Sequence, residues 1–140
     1  MSQASDYLEN ALLDHVLSNT ALTSPTTVYV GLFTSDPSLG STDELLEAGN
    51  FTTEITGNGY SRKQVTFGGA ASGSATTNAN VTFDPASGGD WGTITHIAIT
   101  DNSGGGLGNC LFYGRLQTAK EIQDGDTFQI TSGNLTVTLA

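Results

Sequence analysis

Residues 91–100 read WGTITHIAIT, and this run decides the fold class. Trp91, Ile97 and Ile99 point one way with Thr93 and Thr95 between them, while Ile94, His96 and Ala98 occupy the other side. β-Branched and aromatic residues alternating with period two define a strand with apolar side chains on both faces. A sheet must therefore be covered on at least one of those faces, and the flanking chain supplies the candidates.

On the C-terminal side, Asp101 to Gly108 forms a glycine-rich loop before Asn109 to Leu116, where Cys110, Phe112 and Leu116 alternate with Leu111, Tyr113 and Arg115. The two runs read as a hairpin whose register the long loop leaves open. Asp124-Gly125-Asp126 and Ser132-Gly133-Asn134 supply turn chemistry before the runs 127–131 and 135–139.

Upstream, Val28, Val30 and Leu32 face one way, and Tyr29, Gly31 and Phe33 the other. This strand ends at Ser35-Asp36-Pro37-Ser38. Residues 60–67 alternate as another strand, with Tyr60, Arg62, Gln64 and Thr66 on one side and Ser61, Lys63, Val65 and Phe67 on the other. Residues 80–83 form a short strand, and the polar stretch 68–78 reads as a loop or weak edge strand. Asp43 to Ala48 has the makings of a single helical turn inside a long surface connection, 39–58.

The N-terminus follows a different period. Ser5 can cap a helix from Asp6 to about Leu17, with Asp6 and Glu9 near its positive end. Leu8, Leu12 and Val16 recur every four residues, flanked by Tyr7, Leu13 and Leu17. Alone, so short a helix is marginal, so its apolar side must pack against something. Two coverings are open: the end of its own sandwich, or a neighbouring subunit.

These patterns predict an all-β fold, an antiparallel β-sandwich or jelly roll of seven or eight short strands with one short N-terminal helix. Residues 1–20 are expected to form a helix or arm, and 21–140 a single β-sandwich domain, which suits a chain of 140 residues.

Composition narrows the function. The net charge is −10, from fourteen acids against Arg62, Lys63, Arg115 and Lys120, which opposes contact with a phosphate backbone. Nucleic-acid binding is therefore not expected. No run approaches the ~20 apolar residues of a membrane span, and no signal-peptide pattern opens the chain. These features predict a protein made and assembled in the cytoplasm, without a membrane partner. Cys110 is the lone cysteine, so no intrachain disulfide forms, and its apolar neighbours predict a buried thiol.

No catalytic constellation is legible. His15 and His96 belong to no metal-ligand or general-base motif. Asp101-Asn102-Ser103-Gly104 lacks the calcium-loop spacing, because Gly105 stands where the third ligand should be. Phosphate-loop and serine-nucleophile motifs are missing, and the pairs Asp43/Glu44 and Asp124/Asp126 fall in turns or loops. Trp91, Tyr60 and Tyr113 could build a sugar-stacking platform, but in strands of this pattern they read first as packing residues. We expect no enzyme and no cofactor.

Taken together, YLENALL (7–13), TVYVGLFTSDP (27–37), YSRKQVTF (60–67), DWGTITHIAI (90–99), LFYGRL (111–116) and GDTFQI (125–130) resemble a family of small tailed-phage virion proteins, labelled tail-fibre or capsid-associated proteins. The resemblance runs in order over nearly the whole chain. It implies a structural virion protein. The leading expectation is a capsid decoration (cement) protein that binds the major capsid protein and self-associates, as a trimer in the simplest case. The alternative is a tail- or head-fibre module contacting the host surface. Tyr7, Leu8, Leu12, Val16, Arg62 and Lys63 are the expected contact residues.

Overall fold

A computed structural model describes residues 2–35, 51, 53–104 and 108–139. The expected turn at 35–38 after Ser35, and the helical turn at 43–48, lie outside the described residues. Among those described, the order is β1 (Ser2–Ala4), α1 (Asp6–Leu17), β2 (Val28–Phe33), β3 (Lys63–Val65), β4 (Ser74–Thr76), β5 (Val81–Thr82), β6 (Gly92–Thr100), β7 (Cys110–Ile122), β8 (Gln129–Ile130) and β9 (Thr136–Thr138).

An antiparallel five-stranded sheet, ordered β1-β7-β6-β2-β3, forms one layer. Two two-stranded ribbons, β4-β9 and β5-β8, accompany it. The main core joins the sheet's Val30, Leu32, Val65, Ile94 and Ile97 to Val81, Phe83, Phe128 and Ile130 around the β5-β8 ribbon. Burying apolar faces of both layers against each other is what makes a β-sandwich stable, and the expected fold class is the one observed. A smaller cluster gathers Phe33, Phe51, Ala98 and Cys110, with Tyr113 packed against it.

The β6–β7 hairpin is present, and its register corrects the expected facing of β6. Ile94 pairs with Lys120, but His96 pairs with Arg115. Two steps on β6 thus oppose five on β7, an irregularity that interrupts the alternation. Ile94 and Ile97 consequently share the main core with Trp91, whereas Ala98 enters the smaller one.

β1 is a second departure. Its residues pair with β7 in the register Ser2↔Gly114, Gln3↔Tyr113 and Ala4↔Phe112, making the chain's start an edge strand. The segment before Tyr60 also differs from a surface connection, because Phe51, Glu54 and Ile55 are buried. Ile55 N–H donates to Leu32 O at 3.0 Å, and Phe33 forms a bridge with Glu54, so this segment lines β2.

Trp91 and Tyr60 do not build a surface platform. Trp91 is buried, its Nε1 donates to Asn58 O at 2.9 Å, and its ring meets Tyr60 edge-on at a 5.5 Å centroid distance. Phe83 completes the group, 6.2 Å from Tyr60 and 5.7 Å from Phe128. The accepting carbonyl lies in the turn Gly57-Asn58-Gly59, where all three residues have positive φ, a conformation glycine adopts without a Cβ penalty.

Candidate interaction surface

Ser5 sets the helix in place. Its hydroxyl accepts the Leu8 amide at 3.2 Å, capping α1 from Asp6 as the sequence predicts, and donates to Cys110 O on β7. Ser5 N–H adds a bond to Leu111 O at 2.9 Å. A strand, a cap and a helix are thus tied to the sheet within a few residues, so α1 is held at a fixed place beside β7 instead of hanging from a tether.

Only part of the helix's apolar surface is used in holding it there. Leu8 is buried and Leu12 half-buried, whereas Tyr7 is 38%, Leu13 56%, Val16 73% and Leu17 74% exposed. At helical spacing, Asp6, Glu9, Leu13, Val16 and Leu17 share one side of α1, so the uncovered face is apolar toward its C-terminal end and acidic toward its N-terminal end. Beneath it lies a groove of about 580 Å³ that includes Leu8, Leu12, Leu22, Phe112 and Leu139. Isolated exposed hydrophobes are ordinary; here Leu13, Val16 and Leu17 lie together on an element that is held in place.

Arg62 lies elsewhere, and its position corrects the expectation of a surface contact. The residue is 4% exposed, and its Nε lies 2.7 Å from Glu54 Oε2. Its remaining guanidinium nitrogens donate to Glu54 Oε1 at 3.2 Å, Thr100 Oγ1 at 3.2 Å and Asn102 O at 2.7 Å. The Phe51 ring lies 4.5 Å from the guanidinium carbon, adding a cation–π contact. Such a geometry cross-links three segments of the fold and leaves the charge unavailable to a partner. Lys63, next along, is on the surface and paired with Asp84 at 2.6 Å.

Tyr60 completes this network: its hydroxyl accepts the Leu32 amide at 3.0 Å and donates to Glu54 Oε2 at 3.2 Å. Burial first, and the Glu54 charge second, hold that hydroxyl well above the ordinary tyrosine range. Glu54 falls in a stretch without periodicity, so the sequence pattern does not announce it as a partner. Gly31 carries the one signal: a Cβ there would approach Glu54 Oε2 to 2.5 Å, so the strand needs glycine where the carboxylate passes.

Among the described residues, no group of three or more His, Cys, Asp or Glu side chains is placed to hold a metal ion. His15 Nδ1 accepts the Leu22 amide at 3.2 Å at the end of α1, and His96 Nδ1 lies 2.8 Å from Thr95 Oγ1 in β6. The two imidazoles serve different elements. No helix among the described residues is long and apolar enough to cross a membrane.

Among the described residues, then, the fold is a β-sandwich that displays an anchored, partly apolar helix. Residues 3–138 match the family model described as Podophage GP4 fiber I protein gp80, and the chain belongs to that family. This is a family of tailed-phage virion structural proteins, in agreement with the resemblance drawn from the sequence. No curated protein matches the chain.

Proposed function

We propose that this protein is a fibre component of a podophage particle and that it acts by protein–protein contact through the exposed face of α1. The single observation that carries the fibre reading is the family match, which spans 3–138 and is described by a fibre. It favours a fibre over the shell-cement role expected first, and over the major capsid protein as partner. The uncovered Leu13, Val16 and Leu17 support the choice of contact surface.

Within this reading the residues divide by task. Leu8 holds the helix to the domain, Tyr7 and Leu12 line the groove beneath it, Val16 faces the neighbour with Leu13 and Leu17, and Lys63 contributes only what its pair with Asp84 leaves. Arg62 belongs to the fold.

Counting copies in purified particles by quantitative mass spectrometry tests the proposal. A fibre component is present in a small multiple of the tail or vertex symmetry. Abundance matching the major capsid protein lattice would return the protein to the shell and sink the fibre reading.

A further inference from the structure

We infer that the partner of the α1 face is a second copy of this chain, met head to tail, with the helix of one copy docking in a groove along the C-terminal half of β7 of the next. The inference rests on α1 being the contact surface, and it adds the identity of the acceptor.

The acceptor is a groove of about 570 Å³ whose apolar floor includes Ile97, Leu116, Phe128 and Leu135 and whose charged lining residues are Lys120 and Glu121. It exists because the sandwich closes unevenly. Among the described residues, β1 covers the outer side of β7 only from Phe112 to Gly114, and β5-β8 and β4-β9 pair within themselves, with no ladder between β7 and either ribbon. Among those residues the half of β7 beyond Gly114 therefore keeps an open edge over apolar side chains.

Charge selects the occupant. The chain has four Lys and Arg residues, none before Arg62. Among the described residues, Arg62 and Lys63 form ion pairs, whereas Arg115 and Lys120 form none, and both are exposed. Lys120 lines the groove beside Glu121, and Arg115 lines the adjoining cleft, which shares Ile97 and Leu135 with it. The matching surface is one with apolar side chains and carboxylates on the same side, which is what α1 presents with Leu13, Val16, Leu17, Asp6 and Glu9. Complementary charge on either side of an apolar contact fixes register and partner choice.

Geometry makes the contact intermolecular. α1 sits against the Leu111 end of β7, and none of the groove's lining residues lies on it. Lys120 pairs with Ile94 and Phe112 with Ile99, so the two ends lie roughly 17–20 Å apart at the strand rise of β6. A helix fixed by Ser5 at the Cys110 and Leu111 end takes no part in that groove within one copy. Pairing α1 with α1 about a twofold axis is disfavoured, because Asp6 and Glu9 would face a helix with no Lys or Arg and its negative C-terminal end. Donor and acceptor are different patches, so the contact is heterologous and closes into a ring when its rotation allows.

One helix face is a small interface, so association is expected at protein concentrations on the order of 100 μM in the purified chain. Sedimentation velocity of the full chain against concentration reads it out. Leu13→Asp with Val16→Asp should weaken association by about 10-fold or more. Arg115→Glu with Lys120→Glu should weaken it by roughly 5-fold, and Glu9→Lys should restore part of that loss. The decisive arm mixes the helix-altered chain, whose groove is intact, with the groove-altered chain, whose helix is intact. A discrete 1:1 pair that grows no further is the expected result, with circular dichroism confirming that both chains fold.

A chain that stays monomeric throughout overturns the inference, as does association insensitive to the Arg115 and Lys120 changes. If the helix change abolishes incorporation into particles while the purified chain never self-associates, α1 remains the contact surface but its partner is another protein. Normal incorporation of the helix-altered chain removes the contact-surface reading itself.

Discussion

Arg62→Ala is the perturbation whose outcome separates a buried lock from a surface contact. The substitution deletes the donors that serve both Glu54 oxygens, Thr100 Oγ1 and Asn102 O, and strips the cation from the Phe51 ring. It leaves the Glu54 carboxylate, whose side chain is 1% exposed, with only the Tyr60 hydroxyl as a partner among these groups. Breaking a buried ion pair from one side costs about 3–5 kcal/mol, against a typical domain stability of roughly 5–15 kcal/mol. For a chain of this size the loss amounts to a fall in Tm of roughly 10–20 °C. Urea and thermal unfolding followed by circular dichroism measure it. Replacing both partners, Arg62→Met with Glu54→Leu, should recover part of the loss, because no charge is then stranded. A loss under about 1 kcal/mol for Arg62→Ala, or a double variant as unstable as the sum of its singles, would refute the reasoning.

Three further outcomes follow from the same geometry. Tyr60 has its folded pKa raised above the ordinary value of 10.0, so its contribution is fully present below pH 10 and is lost as pH climbs above it. Unfolding free energy should fall by up to about 1.4 kcal/mol per pH unit more in the parent than in Tyr60→Phe above pH 10. Ser5→Ala loses the helix cap and the bond to Cys110 O, for roughly 1–3 kcal/mol in denaturant titrations, with hydrogen exchange accelerated first across α1. Lys63→Ala, by contrast, should change stability by no more than about 1 kcal/mol, because its pair with Asp84 is partly exposed and screened.

What the sequence disclosed depended on how local the determining physics was. The helix was legible to the residue because Ser5, Asp6 and the four-residue apolar spacing are all within one segment. β6 was legible as a strand from its Ile and Thr content. Its facing was not, since the irregularity that shifts it consists of extra residues on β7. β1 is three residues long and borrows its order from β7, so no periodicity could announce it. Arg62 lies on an alternating run that gives it a side but not a depth; its burial is explained by distant partners, Glu54 eight residues upstream with Thr100, Asn102 and Phe51. For α1 the pattern revealed an apolar stripe and could not say what covers it, which is why both coverings stayed open until Leu13, Val16 and Leu17 were located outside the sheet's reach.

Cryo-electron microscopy of the intact particle, at a resolution that places this sandwich, tests the account most directly. The account predicts the domain in a fibre appendage, with Leu13, Val16 and Leu17 buried against a neighbouring subunit. Finding it spread over the capsid lattice, or with that helix face open to solvent, would contradict it.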